Sequence, residues 1–184
     1  MSTLAANFIQ SLAGKRILNT TGGILQVVQT VKTDVFSSNP SGVVWTDITG
    51  LSVSITPSSS TNKILILCDV KGTGTQSGTM IRTKLLRNNT DIYVGDAASN
   101  RPRGMAQFYG VDAASASYHI AQIGGTFLDS PGTTSSVTYK IQIGGDNNSS
   151  TIYINRTAGD RDDNYRDARV ASSITAIEIA AWVY

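Results

Sequence analysis

Two neighbouring strands near the start of the chain carry different hydrophobic patterns. The first, "LSVSIT" at residues 51–56, alternates apolar and hydroxyl side chains, as a strand with one buried and one wet face does. The second, "KILILC" at residues 63–68, follows the turn-forming run "PSSSTN" and is apolar at five successive positions. Because successive strand residues point to opposite faces, Leu65 and Leu67 lie on the face away from Ile66, and this strand needs cover on both sides.

The last predicted strand also has apolar residues on both of its faces. In "SSITAIEIAAWVY", Ile177 and Ile179 are predicted to face the core, which places Trp182 and Tyr184 on the opposite face. Two explanations cover these second faces: a long loop of the same chain, such as residues 95–116, or another copy of the protein. Since monomers seldom expose apolar patches larger than a few hundred Å², the second explanation predicts a symmetric homo-oligomer. Its predicted contact residues are Leu65, Leu67, Trp182 and Tyr184.

From Ile24 onward the sequence reads as one strand after another. The connections are rich in Gly, Ser, Asn and Pro, for example "KGTGTQSG" and "LDSPGTTS", and no convincing helix separates the strands. This pattern predicts an all-β fold, an antiparallel β-sandwich of jelly-roll-like form, for a single domain over residues 24–184. The predicted strands cover residues 24–33, 43–56, 63–70, 79–87, 90–94, 117–128, 136–143, 151–155 and 172–183.

Residues 1–23 differ from the rest of the chain and are predicted to form an N-terminal arm. Leu4, Phe8 and Leu12 are spaced as on one face of a short amphipathic helix, with Ile9 beside them. A helix of this length is marginal alone, and the same residues suit an extended segment, so the pattern leaves the conformation open. In either conformation the apolar residues predict a tethering segment.

Charge and cysteine content exclude several classes of protein. With 15% charged residues and a net charge of +2, the chain offers no electrostatic case for binding nucleic acid. Cys68 is the only cysteine, so an intrachain disulfide is impossible and a buried structural thiol is expected. The start of the sequence lacks a secretory signal pattern, and no run approaches the length of about 18 apolar residues that a membrane span needs. We therefore expect a soluble protein without membrane insertion, made in a reducing cytoplasm.

Catalytic and metal-binding patterns are missing from the sequence. His119 is the only histidine and Glu178 the only glutamate, and each stands alone on a predicted strand. A nucleophilic triad or a carboxylate pair needs partners that no motif supplies. The densest charged segment, "GDRDDNYRD" at residues 159–167, lacks calcium-loop spacing and is interrupted by arginines, which predicts a self-neutralising exposed loop. The sequence thus predicts a protein that is not an enzyme and that uses no cofactor or metal.

Several segments resemble a family of bacteriophage virion proteins. They are "GGILQVVQTVKTDVFSS", "WTDITGLSVSITPSSSTNKILILCDV", "LLRNNTDIYVGD", "FLDSPGTTSSVTYKIQI" and "SSITAIEIA", and the start, "MSTLAANFIQ", resembles the short arm that precedes this domain in the family. These are described as tail-fibre or tail-fibre-like proteins of phages of marine and freshwater bacteria. The resemblance covers essentially the whole chain and implies a homotrimeric virion appendage, assembled in the host cytoplasm, that contacts other virion proteins. The arm is then the predicted anchor to the virion, through Leu4, Phe8, Ile9 and Leu12.

Three functions stay open from the sequence. The first is a short trimeric tail fibre or fibre adaptor that contacts a host surface glycan or protein through its loops, with avidity across copies. The second is a capsid decoration or head-fibre protein, because the chain has no shaft repeat that would indicate a position on the tail. The third is a monomeric carbohydrate-binding module, which predicts a stripe of exposed aromatic residues on one sheet. The candidate residues for contact with a host receptor are Arg101, Arg103, Tyr109, Tyr165 and Arg166.

Overall fold

The computed structural model describes residues 22–40, 43–75, 79–109, 117–145 and 150–181. The regular secondary structure of these residues consists of strands alone, so they include no helix of the length and hydrophobicity that spans a membrane. The strands are β1 (Ile24–Lys32), β2 (Phe36–Ser38), β3 (Trp45–Ile55), β4 (Lys63–Asp69), β5 (Lys71–Gly74), β6 (Met80–Arg87), β7 (Thr90–Ile92), β8 (Ala106–Tyr109), β9 (Ala121–Gln122), β10 (Gly125–Asp129), β11 (Val137–Gly144), β12 (Ile152–Ile154) and β13 (Ser172–Ile179).

The strands form two packed layers. The first layer consists of two four-stranded sheets with the orders β1-β13-β4-β10 and β2-β12-β5-β9. The second layer is one sheet with the order β3-β11-β6-β7, in which β8 also pairs with β6. All of these pairings are antiparallel.

The two sheets of the first layer are continuous with each other through the chain. β1 leads into β2, β4 into β5 and β9 into β10, each time across a short irregular segment. β12 and β13 occupy the same place in the strand order, and the chain makes a detour over residues 155–171 between them. When each of these pairs is counted as one strand, and β7 and β8 together as another, the fold has eight strands. Their order is 1-8-3-6 in the first layer and 2-7-4-5 in the second. This is the strand order of a jelly roll, which confirms the predicted fold class.

The core lies between the layers and is almost entirely aliphatic. In β4 the inward side chains are Ile64, Ile66 and Cys68, and in β3 the apolar members of residues 51–56 point toward them. Burial of each such side chain contributes about 1.5–3 kcal/mol. The largest fully buried side chains are Leu51, Ile64, Ile66, Ile81, Leu85, Ile123, Tyr139, Ile141, Ile143, Ile152, Ile154 and Ile174.

Asn155 fixes the point at which the detour of residues 155–171 begins. It is fully buried and has a φ of 68°, a left-handed conformation that asparagine tolerates. Its Nδ2 donates to the carbonyls of Lys32 at 2.8 Å and Asp34 at 3.0 Å, and its Oδ1 accepts from the hydroxyl of Ser172 at 2.6 Å. Since Ser172 begins β13, one side chain joins both ends of the detour to the end of β1.

Candidate functional site

One face of the first layer is apolar although it points away from the core. Val27, Ile177, Leu65 and Leu128 are direct neighbours across β1, β13, β4 and β10, so they form one row over the full width of the sheet. Directly paired residues point to the same face, and this is the face opposite to the buried Ile66. We call the following residues the outer apolar face: Ile24, Val27, Val31, Leu65, Leu67, Leu128, Ile177 and Ile179.

Most of the outer apolar face is open to solvent. Its central members Leu65, Ile177 and Ile179 are half-buried. Five of the twelve exposed large hydrophobic side chains of the described residues lie on this face, and the other seven lie elsewhere. Because these five share one sheet face, that face is a candidate contact surface. The exposed fractions of the other members are 66% for Ile24, 55% for Val27, 54% for Val31, 51% for Leu128 and 37% for Leu67.

One predicted cover for the second apolar face of β4 is the loop of residues 95–116. The described part of this loop belongs to the second layer. Its strand β8 pairs with β6, and the backbone N–H of Met105 donates to the carbonyl of Thr83 at 2.7 Å. This part of the loop leaves Leu67 open. Contact of Leu65 and Leu67 with another copy stays a prediction.

A pocket of about 420 Å³ lies at one end of the outer apolar face. The chain enters the fold beside it, because Gly22 donates its N–H to the carbonyl of Ala180 at 3.1 Å, and Ala180 donates to the carbonyl of Gly23 at 2.9 Å. Both ends of the described chain therefore lie at the border of this face. The pocket is lined by Thr61, Lys63, Leu128, Ile179, Ala180 and Ala181.

Six residues with predicted roles lie outside the described residues. The contact role predicted for two of them, and the anchor role predicted for four, therefore stay predictions. They are Trp182 and Tyr184 for the contact, and Leu4, Phe8, Ile9 and Leu12 for the anchor.

The prediction that Ile177 and Ile179 face the core is wrong. The inward side chains of β13 are Ile174, Ala176 and Glu178, and each of these is buried. The apolar residues of this strand occupy both faces, and the prediction took the face with the carboxylate as the wet one. The structure buries that carboxylate, and the strand turns Ile177 and Ile179 outward.

Glu178 is buried because neighbouring groups supply donors to both of its oxygens. Its Oε1 accepts from the backbone N–H of Ser58 at 2.7 Å, from the Ser58 hydroxyl at 2.8 Å and from Asn62 Nδ2 at 2.6 Å, and its Oε2 accepts from Gln26. Burial alone raises the pKa of the carboxyl, but the hydrogen bonds from Asn62, Gln26 and Ser58 outweigh it and hold the pKa below its ordinary value of 4.5. The glutamate thus ties the turn before β4 to the last strand.

The outer face of the second layer is polar by contrast. Asp47 accepts from Lys140 at 2.8 Å and from Gln142 at 2.7 Å, and the hydroxyls of Ser54 and Thr138 lie 2.8 Å apart. The hydrogen bond from Lys140 lowers the pKa of Asp47. These side chains satisfy one another in contact with water. We call Asp47, Ser52, Ser54, Thr138, Lys140 and Gln142 the outer polar face.

The five candidates for receptor contact do not form one site. Arg103 is partly engaged, because its Nε donates to the carbonyl of Gly95 at 2.6 Å beside an open pocket of about 340 Å³. Tyr165 and Arg166 contact each other, with Arg166 Nε 3.2 Å from the Tyr165 hydroxyl. The candidates come from three segments: Arg101 and Arg103 from residues 93–105, Tyr109 from the end of β8, and Tyr165 and Arg166 from residues 155–171.

The charged segment at residues 159–167 is held by ion pairs. Asp167 accepts from Arg161 at 2.8 Å, and Asp160 accepts from Arg169 at 2.8 Å. The hydrogen bond from Arg161 lowers the pKa of Asp167 to about 2. The predicted self-neutralisation holds in part, because Asp167 pairs within the segment whereas Asp160 pairs with Arg156 and Arg169 outside it. Only 4% of the Asp167 side chain is exposed, so part of its charge is structural.

Tyr118 is a neighbour of this loop that the sequence analysis missed. The guanidinium of Arg161 lies 5.0 Å from the centre of the Tyr118 ring, and that of Arg166 lies 5.6 Å from it. The backbone N–H of Gly159 also donates to the carbonyl of Ser117 at 3.1 Å. No local sequence pattern links Tyr118 with this loop. The two segments come together only because the chain makes its detour over residues 155–171 between β12 and β13.

The histidine and the cysteine show no catalytic arrangement. His119 precedes β9 and stacks on Phe108 with ring centres 5.0 Å apart, and its buried Nδ1 has no hydrogen-bond partner among the described residues. Cys68 is buried in the core, and burial raises the pKa of its thiol to about 12. In the described ranges no three His, Cys, Asp or Glu side chains are grouped to hold a metal ion.

Comparison with known proteins yields distant structural matches. No protein-family model and no curated protein match the sequence. The structure of infectious bursal disease virus Gx strain matches with 13% identity and a TM-score of 0.44, over 85% of this chain and 37% of that chain. The crystal structure of the infectious bursal disease virus VP2 subviral particle matches with 14% identity and a TM-score of 0.42, over 85% and 37%. The Gt strain structure matches with 10% identity and a TM-score of 0.42, over 84% and 40%. This chain thus spans less than half of those chains, and scores this low support no conclusion about function.

Proposed function

We propose that this chain is a structural subunit of a bacteriophage virion, a short homotrimeric tail fibre or fibre adaptor. The observation that carries the proposal is the outer apolar face, which a jelly-roll domain presents on one layer while its other layer presents the outer polar face. The resemblance of the sequence to phage tail-fibre-like proteins is the basis for proposing a place in a virion and an assembly of three copies.

Association is the physical role that the outer apolar face supports. Removing apolar surface from water contributes about 25 cal/mol per Å², and a standard interface buries about 800 Å² on each partner. Val27, Val31 and Leu128 are each more than half exposed, so covering them recovers free energy that folding of one copy leaves unused. A closed ring of identical copies covers the face on every subunit.

The proposal includes no enzymatic activity and no cofactor. Two buried carboxylates that are often sought in catalytic sites have structural partners instead. Glu178 holds a turn, and Asp129 accepts from Arg87 at 2.9 Å and from the Tyr139 hydroxyl at 2.7 Å, which joins the two layers. In this role the chain binds other virion proteins through residues 1–23 and binds the host through its loops.

Two measurements on the full chain test the proposal. Light scattering coupled to size-exclusion chromatography is expected to give three times the chain mass of 19.5 kDa. Electron microscopy of intact particles labelled with an antibody fragment is expected to place the protein on the tail. A stable monomer at micromolar concentration contradicts the trimer, and label on the capsid shell favours a decoration protein.

Truncation before Gly22 separates an appendage from a cement protein. This variant keeps the backbone hydrogen bonds of Gly22 and Gly23 with Ala180, so the β domain is expected to fold. If residues 1–21 are the anchor, the truncated protein is lost from particles altogether. A partial loss of occupancy is expected of a cement protein with a broad capsid footprint, and normal incorporation contradicts the anchor.

A carbohydrate-binding module is less well supported. That role predicts a monomer with a stripe of aromatic side chains on one sheet. The exposed tyrosines of the described residues are Tyr93, Tyr109 and Tyr165, and they come from three separate segments.

A further inference from the structure

Arg166 in loop 155–171 carries a charge that no ion pair compensates. It forms no ion pair in the part of the chain that the structure describes, whereas the other three arginines of the loop do. Arg156 and Arg169 share the single carboxylate of Asp160, and Arg161 pairs with Asp167.

Arg166 lies near two aromatic rings. Its guanidinium lies 5.4 Å from the centre of the Tyr165 ring and 5.6 Å from the centre of the Tyr118 ring. Hydrogen bonds to the hydroxyls of Tyr165 and Tyr118 raise the pKa of Arg166. An arginine has five N–H donors, so two tyrosine oxygens leave donors for a ligand.

The loop beneath this group is held in place. Asp167 follows Arg166 in the chain, and its carboxylate accepts from the backbone N–H of Arg161 at 2.8 Å, from Arg161 Nε at 2.8 Å and from the Thr157 hydroxyl at 3.1 Å. Anchored positions reduce the entropy that a binding site loses when a ligand is bound. Arg166 and Tyr165 are therefore presented from a fixed base.

Tyr165 adds an apolar surface beside the charge. It is 90% exposed, the largest exposed fraction among the exposed large hydrophobic residues of the described chain. An aromatic ring offers a flat apolar face together with a polar hydroxyl, and such a face packs against the C–H bonds on one side of a sugar ring. A guanidinium beside it binds a carboxylate through two parallel hydrogen bonds.

We propose that Tyr118, Tyr165 and Arg166 form a binding site for a carboxylated sugar of the host surface. The proposal rests on the host-contacting role proposed above and names the class of receptor. Arg166 can pair with the single charge of a carboxylate. A phosphate carries up to two charges, so the exposed Asp162 and Asp163 in the same loop would repel it more strongly than they repel a carboxylate.

Binding of the full-length protein to immobilised polygalacturonate tests this site, with neutral dextran as the reference surface. We expect binding to polygalacturonate that weakens with added salt, and little binding to dextran. Arg166→Gln is expected to reduce affinity by up to about fivefold, because water and salt screen an ion pair at an exposed arginine. Tyr165→Ala is expected to reduce it several-fold.

Lys140→Gln is the matched control, since Lys140 is a cation of the outer polar face and is not a candidate for receptor contact. It is expected to bind as the wild type does. Thermal unfolding of Arg166→Gln and Tyr165→Ala is expected to match the wild type, because both side chains are exposed. Wild-type affinity in both site variants, an equal loss in Lys140→Gln, or no binding to polygalacturonate overturns the site. Stronger binding to dextran sulfate or to phosphocellulose overturns the choice of a carboxylate.

The mass of each preparation, measured on the same sample, separates this inference from the proposed function. A trimer that does not bind polygalacturonate rejects the sugar site alone. A monomer that binds polygalacturonate in an Arg166-dependent manner rejects the trimer and keeps the site.

Discussion

The outer faces of the two layers differ in a way that one hydrophobic core does not explain. On the outer polar face, Lys140 and Gln142 share Asp47, and Ser54 meets Thr138. On the outer apolar face, Val27, Ile177, Leu65 and Leu128 form a row with no polar member. Both faces belong to antiparallel sheets that cover the same core, so folding of one chain requires neither pattern more than the other. We propose that the apolar pattern is buried in a second step, by association.

The largest difference in association between the two faces is expected when a carboxylate is placed first on one face and then on the other. Leu67→Asp puts a charge where another copy is proposed to exclude water, and an unpaired buried charge is strongly unfavourable. Association is expected to weaken at least 100-fold, about 2.7 kcal/mol, in sedimentation or light-scattering dilution series.

Ser52→Asp is the matched variant on the outer polar face. Ser52 is exposed and lies directly across from Lys140, so the new carboxylate meets a cation in water. Association is expected to be unchanged. Equal effects of Leu67→Asp and Ser52→Asp would remove the distinction between the two faces.

A change beneath the outer apolar face, rather than on it, is expected to affect stability and leave association intact. Glu178→Gln removes a buried charge that accepts from Gln26, Ser58 and Asn62 and leaves donors without acceptors. The free energy of unfolding is expected to fall by about 2 kcal/mol in urea titrations at pH 7.

The pH dependence of Glu178 follows from its lowered pKa. Because the folded protein holds this pKa below the ordinary 4.5, the carboxylate contributes stability that is full above pH 4.5 and is lost as pH falls through the folded pKa. Glu178→Gln is expected to flatten this acid limb of the stability curve. A variant with the wild-type acid limb would show that other carboxyls dominate it.

A smaller effect is expected where the two layers are joined. Tyr139 donates to Asp129 at 2.7 Å, and Tyr139→Phe removes this bond while Arg87 still pairs with the carboxylate. We expect a loss of about 1 kcal/mol in unfolding free energy with no change in association. Tyr109→Phe, at an exposed position, is the control and is expected to change neither quantity. A loss of association in Tyr139→Phe would mean that layer packing, and not the outer face, controls assembly.

The smallest effect is expected on the outer polar face itself. Lys140→Ala removes an ion pair with Asp47, whose side chain is 50% exposed. Exposed pairs of this kind contribute about 0.2–1 kcal/mol and are screened by salt. The urea midpoint at 0.15 M salt is expected to stay within error of the wild type. A large loss would show that this face, too, is a contact surface.

The strand patterns predicted most of the fold but left out short elements. The predicted strands at 63–70 and 136–143 correspond closely to β4 and β11. Three short strands, Phe36–Ser38, Lys71–Gly74 and Ala106–Tyr109, were not predicted, and the second of them lies in "KGTGTQSG", which was predicted to be a connection. The strand predicted at 117–128 is divided into β9 and β10. Such segments are set by pairing with distant strands, which leaves little periodicity in the sequence.

The candidate site was predicted in part. Apolar residues on both faces of β4 indicated Leu65 and Leu67, and both lie on the outer apolar face. Ile24, Val27 and Val31 were not singled out, although "ILQVVQTVK" also has apolar residues on both faces. The last strand was assigned the wrong faces because both of its faces carry apolar residues, so alternation alone does not show which face is buried.

The amino-acid sequence by itself determined that this protein is built of strands and that β4 has two apolar faces, because side-chain alternation along a strand is local. The tertiary structure alone decided which face of β13 is buried, since Glu178 can point inward only where two other parts of the chain bring donors. These are β1, with Gln26, and the turn before β4, with Ser58 and Asn62. The tertiary structure also decided that Tyr118 meets Arg161 and Arg166, because the detour between β12 and β13 sets that contact. Hydrogen bonds and ring contacts between distant segments depend on position in space, and no local periodicity encodes them.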